Sequence, residues 1–189
     1  MKVLYFTNDR CRLEPTIPEI VEASGDTVVT AWEKLALEFI EANQIEFIVS
    51  DRSEYLIRQP IIDALPNRIV NLHPSFLPWN RGYHPNYWAC VDKTPFGVTI
   101  HRIDAGIDTG EILAQTRLAF SENDTLRSTY DRLRTHMVGL FRTCWPMIRE
   151  NLMPAMPQEQ IAYSFHLKSD FDDIFDKLPR GWVTKISDL

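Results

Sequence analysis

Three short apolar runs, Lys2–Phe6, Ile45–Ser50 and Ile69–His73, constrain this chain more than any other feature. None carries a helical period, so each reads as a buried strand. Between them, Trp32, Leu35, Phe39 and Ile40 recur at helical spacing toward Asn43, and Pro60–Leu65 makes a short helix stopped by Pro66. Val28–Thr30 reads as one more short strand. Strands alternating with helices describe a parallel α/β sheet. Residues 10 to 24 resist assignment, because Pro15 and Pro18 interrupt any helix there.

The pattern changes after residue 73. Pro74, Pro78, Gly82 and Pro85 mark a long ordered loop, and long loops inside domains usually carry function. Gly97–Ile103 and Glu111–Gln115 are two further strands joined by the glycine-flanked turn Asp104–Gly110. From Asp124 a helix shows one apolar stripe of Leu126, Tyr130, Leu133, Met137, Leu140, Phe141, Cys144 and Ile148. Pro146 should kink or break its tail. Phe171, Ile174, Phe175 and Leu178 predict a final helix capped by Ser169 or Asp170.

Composition narrows the class of partner. The 189 residues suit one domain, and 44% hydrophobic residues supply its core. A net charge of −6 argues against binding bulk nucleic acid, while leaving room for a small phosphorylated ligand held by one or two arginines. Cys11, Cys90 and Cys144 are scattered, which excludes a disulfide framework or zinc ribbon and suits a reducing compartment. The first apolar run is too short for a signal peptide or membrane span. The expectation is a cytoplasmic domain with no membrane partner.

The segments with chemistry are Asn71-Leu-His-Pro-Ser-Phe-Leu-Pro78 and Gly106-Ile-Asp-Thr-Gly110. Asn71 and His73 share one face of a strand at its C-terminal end, where open parallel sheets bind ligands. Asp108 sits in a turn able to return to the same place. An amide, an imidazole and a carboxylate together can stabilise an oxyanion and move a proton without a metal. Each also has a structural reading: a cap, a satisfied core histidine, a turn residue. Spacing alone leaves both open.

The blocks Asn71–Pro78, Arg81-Gly82, Gly97–His101 and Asp104–Leu113, with Asp124-Thr-Leu after them, resemble the formyltransferases that use 10-formyltetrahydrofolate. The likeness runs from about residue 45 to 135. It implies a Rossmann-like α/β fold with a mostly parallel sheet and flanking helices. It also implies a catalytic domain over 1–150, with 151–189 as a short extension packed on it. Position by position, Asn71, His73 and Asp108 match the family's catalytic Asn, His and Asp. An amine would attack the formyl carbon, with Asn71 and a protonated His73 donating to the oxyanion and Asp108 favouring the cationic His73. No Ser or Cys nucleophile is needed, and Ser75 lacks a Gly-x-Ser-x-Gly setting. The resemblance puts the pterin against Tyr55, Leu56 and Ile57 and against Ile103, Asp104 and Ala105.

Two departures separate the chain from particular branches. Thr7-Asn8-Asp9-Arg10 lacks the glycine-rich phosphate turn of the glycinamide-ribonucleotide members. The expected tail, with 4 Lys/Arg against 6 Asp/Glu over 151–189, lacks the added domain of methionyl-tRNA formyltransferases and would repel RNA. The Asn80–Pro85 loop and Tyr163–Lys168 look more like members that formylate nucleotide-linked amino sugars. Asn8, Asp9, Arg81 and Tyr83 are the expected acceptor contacts, with Arg81 alternatively a tie for its own loop. His84, His101, His136 and His166 read as structural or surface residues. The implied partners are 10-formyltetrahydrofolate as co-substrate and a small amine acceptor, with no metal, and a homodimer is allowed. The rival activities are glycinamide-ribonucleotide or methionyl-tRNA formylation and 10-formyltetrahydrofolate hydrolysis. A non-catalytic module conflicts with the intact Asn, His and Asp. An NAD oxidoreductase conflicts with the missing Gly-x-Gly-x-x-Gly.

Overall fold

Strand β1 (Lys2–Phe6) lies inside a six-stranded sheet with β3 (Phe47–Ser50) on one side and β2 (Thr27–Ala31) on the other, all parallel. The order is β2-β1-β3-β4-β6-β7, with β4 (Ile69–His73) parallel to β3. Strands β6 (Phe96–Arg102) and β7 (Ile112–Leu118) complete it in antiparallel fashion. The computed structural model describes residues 1–8, 16–158, 163–172 and 174–189.

The apolar runs lack polar alternation because both faces of the sheet are covered. Val3, Tyr5, Phe47, Val49, Val70 and Leu72 face one core, shared with α1 (Thr16–Glu22) and α5 (Leu126–Arg149). Leu4, Phe6, Ile48 and Ile69 face the other, shared with α2 (Leu37–Ala42) and α3 (Gln59–Ala64). Period two within each strand thus splits the side chains between two helical layers.

Several local expectations change. Helix α1 forms despite Pro18, which falls in its first turn where a missing N–H removes no helical bond. Trp32 and Leu35 precede α2 rather than joining it. Helix α5 starts at a reciprocal capping box between Thr125 and Ser128 and runs through Pro146. Buried Trp145 and Ile148 hold that last turn on the core, so the proline does not end the helix. The Pro-rich loop contains the short strand β5 (Arg81–Gly82) and a helix, α4 (Pro85–Val91), with Pro85 opening its first turn. The predicted final helix shrinks to α6 (Ser169–Asp172) and a separate 3₁₀ turn, Phe175–Lys177. Phe171, Ile174 and Leu178 nevertheless pack together with Tyr87 and Leu126.

Described residues after 150 pair back onto the body of the fold at two places. Met156 and Ile112 exchange two backbone hydrogen bonds at 2.9 and 2.8 Å. Strand β8 (Phe165–His166) pairs parallel with β5. Gly82, at φ 91°, makes this pairing feasible, since a side chain there would collide with the His166 carbonyl.

Candidate active site

Asn71 and His73 leave β4 on the same side, as period two requires, and β6 supplies their cross-strand neighbours: Asn71 opposes His101 and His73 opposes Thr99. The turn after β6 brings Asp108 back onto this pair. Asp108 adopts φ 53°, a left-handed conformation unusual for a non-glycine residue.

The Asp108 carboxylate collects four partners. Its Oδ1 accepts from Asn71 Nδ2 at 3.1 Å and lies 3.3 Å from His101 Nε2. Its Oδ2 accepts from the Gly82 N–H at 2.8 Å and lies 3.5 Å from His73 Nδ1. Burial opposes its ionisation, but His73, His101 and the Gly82 N–H prevail and hold the carboxyl well below the usual range.

For His73 the balance runs the other way. Its side chain is 5% exposed, and burial lowers its proton affinity further than Asp108 raises it. Burial thus works against the protonated His73 expected from sequence, and Asp108 works for it. Its Nε2 lies 3.0 Å from the Asn80 carbonyl oxygen, which only accepts. Nε2 therefore carries a proton, and Nδ1 faces the Asp108 carboxylate.

His101, read from sequence as a structural or surface residue, belongs to this cluster. It is buried, its Nδ1 donates to the Arg102 carbonyl at 2.7 Å, and its Nε2 lies 3.3 Å from Asn71 Nδ2. The signal that could have found it is register: antiparallel pairing of the two strands puts His101 opposite Asn71.

A cavity of about 1180 Å³ opens on this cluster. Tyr55, Leu56, Ile57, Ile103, Asp104 and Ala105 all line it, as do Asn71, His73 and Asp108. Leu56 is 52% exposed there, and the backbone N–H groups of Leu56 and Ile57 have no acceptor among the described residues. An apolar surface beside uncommitted backbone donors suits a flat heteroaromatic ring.

The expected acceptor contacts divide. Tyr83 and Asn8 line the cavity, although Asn8 Nδ2 donates to the Arg52 carbonyl at 3.1 Å. Asp9 lies outside the described residues. Arg81 is off the cavity wall: its Nε and Nη2 donate to Gln158 Oε1 at 3.1 and 2.7 Å, and its guanidinium sits 5.1 Å from the Tyr163 ring centre. It ties the loop down because Gln158 and Tyr163 occupy its charge. Wall residues not singled out from sequence are Arg52, Arg127, Tyr130 and Trp182. Arg127 and Tyr130 share one α5 face at i, i+3, and Arg127 has no ion-pair partner among the described residues. Lys168 and Trp182 gather beside Tyr83 and His84, with the Lys168 ammonium 5.7 Å from the Tyr83 ring centre. Among the described residues no His, Cys, Asp and Glu group is arranged to hold a metal, and no helix is long and apolar enough to cross a membrane.

Comparison with known proteins places this geometry. A family model described as formyl transferase matches residues 15–142. The dTDP-4-amino-4,6-dideoxyglucose formyltransferase of Mycobacterium tuberculosis (strain ATCC 25618 / H37Rv) is 36% identical over 114 residues, covering 60% of this chain and 47% of that protein. The chain thus spans about half the length of the curated relatives it matches. The formyltransferase PseJ from Anoxybacillus kamchatkensis, solved with UDP-4,6-dideoxy-4-formamido-L-AltNAc and tetrahydrofolate, superposes with a TM-score of 0.92 at 36% identity, covering 100% of this chain and 97% of that one. A 4-N formyltransferase from Francisella tularensis shares the fold at a TM-score of 0.77 and 19% identity, over 92% and 79% of the two chains.

Proposed function

Because the chain belongs to the formyl transferase family, we propose that it moves a formyl group from 10-formyltetrahydrofolate to the primary amine of a nucleotide-linked amino sugar. The observation that carries this is the Asn71–His73–Asp108 cluster on the wall of a cavity that Leu56 and Ile57 also line. The folate supplies an activated formyl carbon; Leu56, Ile57 and Ile103 would face its ring, with the Leu56 and Ile57 N–H groups as donors.

The chemistry required of the protein is small. Nδ1 of neutral His73 takes the proton that the attacking amine must lose. The resulting imidazolium is stabilised by Asp108, whose carboxylate is already ionised. Asn71 Nδ2 exchanges one of its present partners for the formyl oxygen as negative charge grows there. His73 then returns its proton toward the departing folate nitrogen. Neutral in the free protein and cationic only after the amine has reacted, His73 serves first as base and then as donor.

The acceptor assignment is supported by the second set of wall residues. Arg127 and Lys168 offer charge to a diphosphate, and Tyr83 and Trp182 line the same cavity as aromatic surface for a base. The 36% identical PseJ was solved with a UDP-linked formamido sugar. The test is a mass-spectrometric formylation assay with 10-formyltetrahydrofolate and two amines: the UDP-linked 4-amino precursor of that sugar, and dTDP-4-amino-4,6-dideoxyglucose. A mass gain on either amine is expected. Folate consumption with formate as the sole product would overturn the reading in favour of hydrolysis.

A further inference from the structure

The segment beyond residue 150 grips the two proton-handling groups at separate points. Ser164 Oγ donates to Asn80 Oδ1 at 2.9 Å and accepts from the Asn80 N–H at 2.8 Å, fixing the residue whose carbonyl receives His73 Nε2. Gln158 acts on the other group. The Met156–Ile112 bridge sets it beside the catalytic turn, where Nε2 donates to the Asp108 carbonyl at 2.8 Å and the Gly110 carbonyl at 2.7 Å. Its Oε1 takes both Arg81 donors. This network assigns the amide orientation, since the reverse would set oxygen against two carbonyls and nitrogen against a guanidinium.

Asp108 needs such a hold. A non-glycine residue in the left-handed region persists only where its surroundings over-determine it. We propose that Gln158 is a positioning residue for formyl transfer: it holds the Asp108 turn in the conformation that aims the carboxylate at Asn71, His101 and His73, and Arg81 keeps its amide in the donating orientation. It is not among the residues lining the cavity on Asn71, His73 and Asp108. Gln158 and Ser164 are on this reading part of the catalytic unit and not an appendage to it. The catalytic consequence rests on the transfer reaction proposed above, whereas the geometric consequence does not.

Two variants separate positioning from mere tethering. Gln158→Glu keeps an acceptor for Arg81 but turns two donors into oxygens facing carbonyl oxygens. Gln158→Leu removes both functions without adding charge. His73 reports the result in the free protein, because the groups facing it are Asp108, His101 and Arg81. NMR titration of its ring, assigned by comparison with His73→Asn, should move down by about half a unit or more in Gln158→Leu as the carboxylate drifts away. Single-turnover transfer should fall about tenfold to a hundredfold in both variants, with Gln158→Glu melting near the parent. Should Gln158→Leu not fold, Arg81→Lys, which loses the fork and keeps the charge, should lower the same titration in the same direction. An unmoved His73 titration, or Gln158→Glu transferring at the parent rate, would overturn the proposal. A parent that titrates as described yet formylates neither amine would instead count against the proposed reaction.

Discussion

Two aspartates, Asp51 and the half-buried Asp108, sit near the same edge of the sheet, and their partners differ in one respect that decides what each can do. Asp51, just past β3, is fully buried; Arg134 donates to its two oxygens at 2.7 and 3.0 Å, and Tyr5 Oη donates at 2.9 Å. Arg134 stays protonated at any pH the protein meets, so this pair can only hold β1, β3 and α5 together. Asp108 faces two imidazole rings, with His73 Nδ1 3.5 Å and His101 Nε2 3.3 Å from its oxygens. A carboxylate paired with a permanent cation stabilises; one paired with titratable rings can move charge.

The sharpest way to break this division is to remove a donor at Asp108's end. Asn71→Ala should lower single-turnover transfer by about 10² to 10³ while leaving folate binding in calorimetry nearly unchanged. Combined with Asp108→Asn it should cost less than the product of the two, since both act on one transition state. Asp51→Asn should show the opposite profile. It strands Arg134, whose side chain is 17% exposed, and should destabilise by about 3 kcal/mol in urea unfolding, with transfer per folded molecule retained. If Asp51→Asn keeps its stability and loses turnover, the division fails.

Leu56→Ser tests the folate wall. With 52% of Leu56 already exposed, the loss should be about 1 kcal/mol of 5-formyltetrahydrofolate binding, roughly fivefold in Kd, with kcat at saturation unaltered. The smallest expected effect concerns pH. His73 is held below its ordinary 6.5, so an unfolded chain takes up that proton more readily. Its contribution to stability is full above about 6.5 and declines as pH falls toward the lowered folded value. Asp108, depressed when folded, contributes above about 3.9 and is lost only at more acid pH. Melting temperatures between pH 7 and 5 should therefore slope less in His73→Asn than in the parent.

Much of this was legible in the chain. The three apolar runs gave β1, β3 and β4 because strands buried on both faces carry no competing period. Asn71, His73 and Asp108 stand out through the family's motifs, and the structure brings them together, with Asn71 donating to Asp108 and His73 Nδ1 3.5 Å from it. What escaped depends on contacts distant in sequence. His101 joins the cluster through antiparallel register, and Gln158 reaches Asp108 across 50 residues. Arg81 looked like a ligand contact because a charged loop residue beside a catalytic strand gives no local sign of its partner. The opposing effects at His73 are not legible either, because motif spacing carries no information on burial, which lowers its proton affinity against Asp108.

The most direct test of the division between the two aspartates is single-turnover formyl transfer by Asp108→Asn, at saturating 10-formyltetrahydrofolate and amino sugar. The substitution keeps shape and several hydrogen bonds but removes the charge that stabilises the His73 imidazolium. The expected result is a rate at least about 10²-fold below the parent, with a folded protein and folate affinity little changed. Transfer within about threefold of the parent would mean that Asp108 shapes its turn, as Asp51 ties its strand, and takes no part in moving the proton.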